Sequence, residues 1–486
     1  MSEGDGTLKS RTAHGIGWAF ADNLSGSGVM ALVSLVLARI LCPEDFGLVA
    51  IPGIFISLAN SLVDSGFSSA LTRKKSVTEA DFNTVFSFHL SVSLIIYIIL
   101  FATAPLIAGF YGNGLLVPII RILGLTPIIT ALTLVQRVIL IRRLDFRTQA
   151  VVSFISSLAA GIAAITLAAS GMGIWSLVAL QIIRLGMTSF LLWLHNKWLP
   201  SGFIDRASFK DMFSFGGRLL LSAIVSIIWT EIYTLVIGKI YSTSVLGQYN
   251  RAEKFKGMLS SNISIVMQKV SYPVLSSVQD DPDRQLRIYR KVFRTTVLMT
   301  FTSILGLAAV SGALVPVLVG NQWLESVKYL QLLCLSGVFI PLIALSSNII
   351  NANGRSDTTL RLEIVKTIMA VIPIMAGIYF GIKWLLFSMA VVYLLVYFIY
   401  GITVKKIIGY KIKDQISDII PFALISVLMS FAVWSLSLTG INCWLLLPLQ
   451  LVLGAVITFV IYKWIYRAEE FDEILSHILN LLKRNR

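Results

Sequence analysis

Charge is scarce in this chain. Only 13% of its 486 residues are Asp, Glu, Lys or Arg, where a soluble domain carries about 25%. No hydrophilic stretch is long enough to fold as a soluble domain. Cysteine is rarer still, and Cys42, Cys334 and Cys443 show no metal-binding or redox spacing. Cys42 and Cys443 fall on one expected side of the membrane, where two unpaired small apolar residues are favoured over a disulfide. The four histidines are scattered, so no Ser/His/Asp set can be assembled from them. His89 reads as a packed residue and not as a metal ligand. There is no Gly-x-x-x-x-Gly-Lys-[Ser/Thr] phosphate loop, hence no sign of ATP hydrolysis, and no metal or cofactor is expected. No separate apolar segment with a small-residue cleavage site precedes the first span, which reads as a retained helix.

Long apolar runs are abundant. Hydrophobic residues make up 56% of the chain and mean hydropathy is +0.82. Apolar stretches of about 20 residues recur throughout, which predicts an all-α integral membrane protein with about 14 transmembrane helices. They fall near 16–41, 46–70, 82–110, 117–141, 148–170, 174–198, 212–240, 244–278, 289–314, 324–350, 358–380, 383–404, 415–438 and 442–466. A final stretch, 468–480, alternates Phe471, Leu475 and Leu479 with polar residues, as an amphipathic helix at the membrane surface or against the protein would.

Basic residues cluster in alternate loops: Arg73-Lys74, Arg142-Arg143, Arg206 with Lys210, Arg284 with Arg287, Arg355 with Arg361, Lys405-Lys406, and the tail Lys483-Arg484. The positive-inside rule then puts both termini in the cytoplasm. The net charge of +15 is thereby mostly topogenic. Nucleic-acid binding, which needs basic residues on a soluble face, is excluded.

The chain also repeats itself. Ala38-Arg39-Ile40-Leu41 with Phe46-Gly47-Leu48-Val49 matches Gly238-Lys239-Ile240-Tyr241 with Leu246-Gly247-Gln248-Tyr249 at an offset of 200 residues. Pro127 matches Pro341, and Gly173-Ile174-Trp175 matches Gly381-Ile382-Lys383-Trp384. Two six-helix lobes related by pseudo-two-fold symmetry, plus two C-terminal helices, account for the spans. The expected organisation is an N-terminal lobe 1–198, a cytoplasmic linker 199–211, a C-terminal lobe 212–407, and the two extra spans with the amphipathic helix over 408–486. Pro52-Gly53 is expected to interrupt the second span.

Ionised groups at membrane depth are costly and mark functional sites. At about 1.5 Å per residue, Arg251 lies about 10 Å and Lys254 about 15 Å from the outer end of their span. On the same scale Glu231 lies about 13 Å, Arg184 about 15 Å and Arg121 about 9 Å deep, with Arg39 close to the outer surface. Asp64 sits in the inner half of the second span. Arg251 and Lys254 are i,i+3 and share a face, and Glu253 forms a neighbouring i,i+3 pair with Lys256. Arg251, Lys254, Arg184, Arg39 and Arg121 are the candidate cationic cavity. Glu231, Asp64 and Glu253 are candidates for charge pairing or ion coupling. The first-half equivalents of Arg251, Glu253 and Lys254 are Ile51, Gly53 and Ile54, so only the second copy carries the charges.

With these features the turn Ala-Arg-Ile-Leu-x-Pro-Glu-Asp-Phe-Gly-Leu-Val at 38–49 and Leu-Gly-Gln-Tyr-Asn-Arg-Ala-Glu-Lys at 246–254 resemble the bacterial polysaccharide-transporter flippases of the multidrug/oligosaccharidyl-lipid/polysaccharide exporter superfamily. The resemblance covers the whole chain. It implies a two-lobe protein of the bacterial cytoplasmic membrane that moves undecaprenyl-pyrophosphate-linked oligosaccharide by alternating access, for O-antigen, capsule or exopolysaccharide synthesis. It also implies that Arg39, Arg251 and Lys254 hold the anionic head. The partners expected from it are that lipid-linked oligosaccharide and membrane lipids, with a polysaccharide polymerase and glycosyltransferases as candidate protein partners. A multidrug/cation antiporter of the same superfamily is the alternative, against which the two extra spans and the cationic surplus argue. A membrane glycan polymerase or ligase is the alternative from another class, and no long catalytic outer loop supports it.

Overall fold

The computed structural model describes residues 26–476 apart from 65–66, 75 and 474, with side chains also left out at several positions of 69–73 and 207–226. Eighteen α-helices follow in order over the described residues of 26–460. The first nine are α1 (Gly26–Ile40), α2 (Pro43–Asp64), α3 (Phe67–Arg73), α4 (Glu79–Tyr111), α5 (Leu116–Leu123), α6 (Thr126–Arg142), α7 (Phe146–Ala169), α8 (Ile174–His195) and α9 (Arg206–Ile240). The others are α10 (Thr243–Ser276), α11 (Pro282–Val319), α12 (Leu324–Gly337), α13 (Ile340–Ala352), α14 (Ser356–Met369), α15 (Val371–Phe380), α16 (Ile382–Ile408), α17 (Ile412–Ser435) and α18 (Cys443–Val460). Eleven spans among the described residues are long and apolar enough to cross a membrane. The shorter α1 and the more polar α9 and α10 bring the architecture to the expected set.

Local chemistry fixes the helix ends. Thr78 and Asp81 form a reciprocal capping box at the start of α4: Asp81 N donates to Thr78 Oγ1 and Thr78 N donates to Asp81 Oδ2. Asp145, Asp205 and Asp281 cap α7, α9 and α11 by accepting from the backbone N–H three residues on. The matched glycines Gly173 and Gly381 precede α8 and α16 with φ of 52° and 93°, a region that costs a residue with a Cβ. The matched prolines act alike too. One membrane span breaks into α5 and α6 just before Pro127, and another into α12 and α13 just before Pro341. Proline ends the preceding helix because it lacks an N–H and crowds the turn before it. Pro52 departs from expectation. It lies inside a continuous α2, so Pro52-Gly53 is not a break; spanning helices tolerate one lost hydrogen bond when neighbours support the turn.

The chain divides into two compact units, Met1–Gly247 and Gln248–Arg486. In the first, α7 runs along α8, and α2 packs on α9, α4, α6 and α8. Its apolar cluster of Phe67, Leu71, Val85, Phe86, Val135, Val138 and Ile139 gathers Trp193, Trp198 and Phe209 around it. His89 is fully buried there, with the Phe67 ring edge-on at 5.8 Å. In the second unit α11 is the central mast, packed by α12, α17 and α18. Ala309, Val310, Met429 and Val433 form the seam that attaches the last two spans. The outside is apolar: Leu94, Ile98 and Leu106 on α4, and Leu424, Leu428 and Phe431 on α17, are exposed, as lipid-facing residues should be.

The C-terminal stretch helical at 469–473 lies against the protein. Glu473 pairs with Lys291 at 2.5 Å, Glu470 with Arg294 at 2.7 Å and Asp472 with Lys463 at 2.6 Å. Cys42, Cys334 and Cys443 are all free thiols.

Candidate functional site

The duplicated turn builds a helix crossing. A Cβ placed on Gly47 would lie 1.9 Å from the Thr243 carbonyl oxygen, and one on Gly247 would lie 1.8 Å from the Pro43 carbonyl oxygen. The two first turns, 43–47 and 243–247, thus touch backbone to backbone, and only glycine permits it. Thr243 Oγ1 donates to Glu44 Oε1 at 3.3 Å beside the crossing.

In the first unit the candidate cations separate. Arg39 is exposed at the end of α1. Arg121 on α5 lies 4.1 Å from the centre of the Phe101 ring of α4, a cation–π seat. Arg184 sits halfway along α8 and lines a cavity of about 490 Å³ between α1, α6, α7 and α8. Arg137 and Gln149 line the same cavity, and neither stood out in the sequence. Arg137 lies in the last turns of an apolar helix next to a basic loop, where positive charge reads as topogenic. Asp64 accepts from Ser68 Oγ at 2.6 Å. Glu231 is half-buried on α9.

In the second unit the start of α10 is a clamp. Gln248 Oε1 accepts from Ser326 N at 3.0 Å and from Ser326 Oγ at 2.5 Å, while Gln248 Nε2 donates to the Gln322 carbonyl at 2.7 Å. Gln248 and Ser326 are both buried, so α10 is fastened to the turn before α12. Arg251, one turn on, is 4% exposed, and its guanidinium lies 4.9 Å from the centre of the Trp323 ring. Lys254 is exposed. The i,i+3 pair therefore divides: Trp323 covers Arg251 and leaves Lys254 accessible. Glu253 takes Lys256 at 2.7 Å, as its i,i+3 spacing predicted, and Lys256 is only 2% exposed. Gln248, Trp323 and Ser326 carry no charge, so a search for charge at depth passes over them. Among the described residues no cluster of His, Cys, Asp or Glu could hold a metal ion.

This arrangement presents accessible cations in mid-helix on each unit. Such groups can neutralise an anion that has left its water, by charge-assisted hydrogen bonds. They supply no nucleophile and base in mutual reach.

Known proteins resemble this chain in sequence and fold. Residues 36–328, more than half the chain, match the family described as polysaccharide biosynthesis protein. The lipopolysaccharide biosynthesis protein WzxC of Escherichia coli K12 is 24% identical over 385 residues, covering 76% of each chain. The teichuronic acid biosynthesis protein TuaB of Bacillus subtilis 168 is 25% identical over 74% of each. The succinoglycan biosynthesis transport protein ExoT of Rhizobium meliloti 1021 is 26% identical over 69% of this chain and 68% of its own length. Among solved structures, the lipid II flippase MurJ in an inward closed conformation superposes with a TM-score of 0.73 at 17% identity, over 93% of this chain and 99% of its own. An inward-facing multidrug resistance transporter of the MATE family follows the same fold with a TM-score of 0.63 at 16% identity, over 80% and 98%. By its sequence match over residues 36–328, with a fold shared by these transporters, this chain belongs to the polysaccharide biosynthesis protein family of membrane proteins.

Proposed function

We propose that this protein is a flippase that carries oligosaccharide units linked to undecaprenyl pyrophosphate across the bacterial cytoplasmic membrane for surface polysaccharide synthesis. It is a transporter and not an enzyme, works by alternating access, and has both termini in the cytoplasm. The observation that carries this reading is the accessible mid-helix lysine of α10: Lys254 is exposed, and no carboxylate of a described residue pairs with it. A cation at that depth is costly in hydrocarbon and is stabilised by an aqueous path or an anionic cargo. Lys254 and Arg184 contact the anionic head, Arg251 holds the helix that presents Lys254, and Arg39 and Arg121 serve the outer end. Glu231, Asp64 and Glu253 balance the charge during the cycle. Relatives named for lipopolysaccharide, teichuronic acid and succinoglycan biosynthesis, and a lipid II flippase of the same fold, support a lipid-linked glycan cargo.

The lipid tail never has to leave the bilayer, and only the polar head needs a protein path. Several spread charges suit such a head better than one tight site, because the cargo must also leave. Reconstitution in vesicles with a fluorescent lipid-linked oligosaccharide tests the reading. Protein-dependent loss of outer-leaflet quenching is expected. No transfer by folded protein, or lengthening of the glycan, would refute it.

A further inference from the structure

The cavity of the first unit is built like an anion subsite. It is an open-mouthed cavity between four helices of one unit with a volume of about 490 Å³, within the roughly 300–1,000 Å³ of small-molecule sites. Arg137 reaches it from α6, Gln149 and Ser153 from α7, and Arg184 and Thr188 from α8, while no carboxylate of a described residue lines it. Arg184 Nε and Gln149 Nε2 are buried donors that meet no acceptor among the described residues. Arg137 and Arg184 bring two like charges to one cavity. Like charges held near one another cost free energy, and a buried donor left unsatisfied costs on the order of 1–3 kcal/mol. One oxyanion in the cavity relieves both costs. Planar guanidinium forks suit phosphate and carboxylate oxygens. Gly26 of α1 lets Ser153 approach, with the position of its missing Cβ 3.3 Å from Ser153 Cβ.

We propose that Arg137, Arg184 and Gln149 form a phosphate-binding subsite inside the first unit, which takes a phosphate group of the cargo's pyrophosphate or of a phospholipid head. It rests on the flippase reading for the identity of the cargo, and adds Arg137 and Gln149 to it.

The test is equilibrium binding of radiolabelled undecaprenyl pyrophosphate to the full chain in phosphatidylcholine nanodiscs, with inorganic pyrophosphate and phosphatidylglycerol as competitors. Arg137→Gln with Arg184→Gln should weaken binding at least tenfold, and Gln149→Ala a few-fold, while Arg184→Lys, which keeps the charge and loses the fork, should fall between wild type and the double variant. Matched size-exclusion profiles and melting temperatures establish folding. Should the double variant misfold, Arg137→Gln alone serves, since its side chain is exposed. Displacement by inorganic pyrophosphate supports the cargo as ligand; displacement by phosphatidylglycerol alone supports a lipid headgroup in the same site. Wild-type affinity in the folded variants overturns the subsite. If the wild type transfers lipid-linked oligosaccharide yet binds no probe through these arginines, the subsite falls and the flippase stands. If the probe binds through them and nothing is transferred, the flippase reading falls alone.

Discussion

Gly47 and Gly247 face one another across the crossing of α2 and α10, each missing Cβ aimed at the carbonyl of the other helix's first residue. The two glycines are 200 residues apart and play the same part in two copies of one turn. Their contact is backbone on backbone, which leaves no side chain able to yield.

Gly47→Ala and Gly247→Ala should each destabilise the protein by at least the roughly 1–3 kcal/mol typical of overpacking. The two losses should be similar, because the contacts are mirror copies. Gly53→Ala is the control, since nothing lies within 4 Å of its missing Cβ. It should be neutral or stabilising by up to about 1 kcal/mol through helix propensity. Melting temperatures in detergent read all three.

Lys254 and Arg251 should separate stability from transport. Lys254→Ala removes an exposed side chain and should leave the melting temperature unchanged while abolishing glycan display. Arg251→Ala removes a buried guanidinium from the Trp323 ring. It should lower stability, with the cation–π contact alone contributing about 0.5–2 kcal/mol. Full glycan display by a normally expressed Arg251→Ala/Lys254→Ala double variant would remove both from the site.

Gln248 and Ser326 should be energetically coupled. Ser326 N donates to Gln248 Oε1, and the one Ser326 hydroxyl proton is shared between Gln248 O and Oε1, all buried. A double-mutant cycle with Gln248→Ala and Ser326→Ala should give an interaction of about 0.5–3 kcal/mol. Additive losses would mean that the clamp contributes no specific stability.

Glu253 and Lys256 form an ion pair on one face of α10, with the lysine buried and the carboxylate 37% exposed. Lys256→Met leaves the partly exposed Glu253 carboxylate without its partner and should cost on the order of 1 kcal/mol. Glu253→Gln combined with Lys256→Met should recover most of that loss, because no uncompensated charge remains. Equal stability of the single and double variants would contradict the pairing.

Asp145 caps α7 from the loop before it, and burial works against its ionised form. Hydrogen bonds from Thr148 N and Oγ1, with the charges of His195 and Arg147, outweigh burial and hold its carboxyl below the usual range. A folded-state value below the unfolded one makes the stabilisation fully present above the unfolded value of about 3.9 and lost as pH falls through the folded value. Asp145→Ala should cost about 0.5–2 kcal/mol near neutral pH. The gap to wild type should close below about pH 3.9, as chemical denaturation at several pH values would reveal.

Periodicity and composition were enough to reveal the spans, the duplication and the basic loops. Membrane spans write themselves in sequence because hydrocarbon demands about 20 apolar residues in a row. The duplicated prolines and glycines were legible for a similar reason, since backbone rules admit few residues at breaks and positive φ. Pro52 lies inside a continuous helix against the sequence expectation, because a proline's local penalty does not say whether neighbouring helices will carry the turn.

The sequence by itself determined a many-helix membrane protein with a repeated turn and cations at depth. The tertiary structure decided what each cation does. It put Trp323 over Arg251, left Lys254 open, seated Arg121 on Phe101, and turned Arg137 and Gln149 toward Arg184. Depth along a helix is a linear property, and the residue count alone supplies it. Which face of that helix is covered depends on neighbours brought from far along the chain, and only packing fixes those.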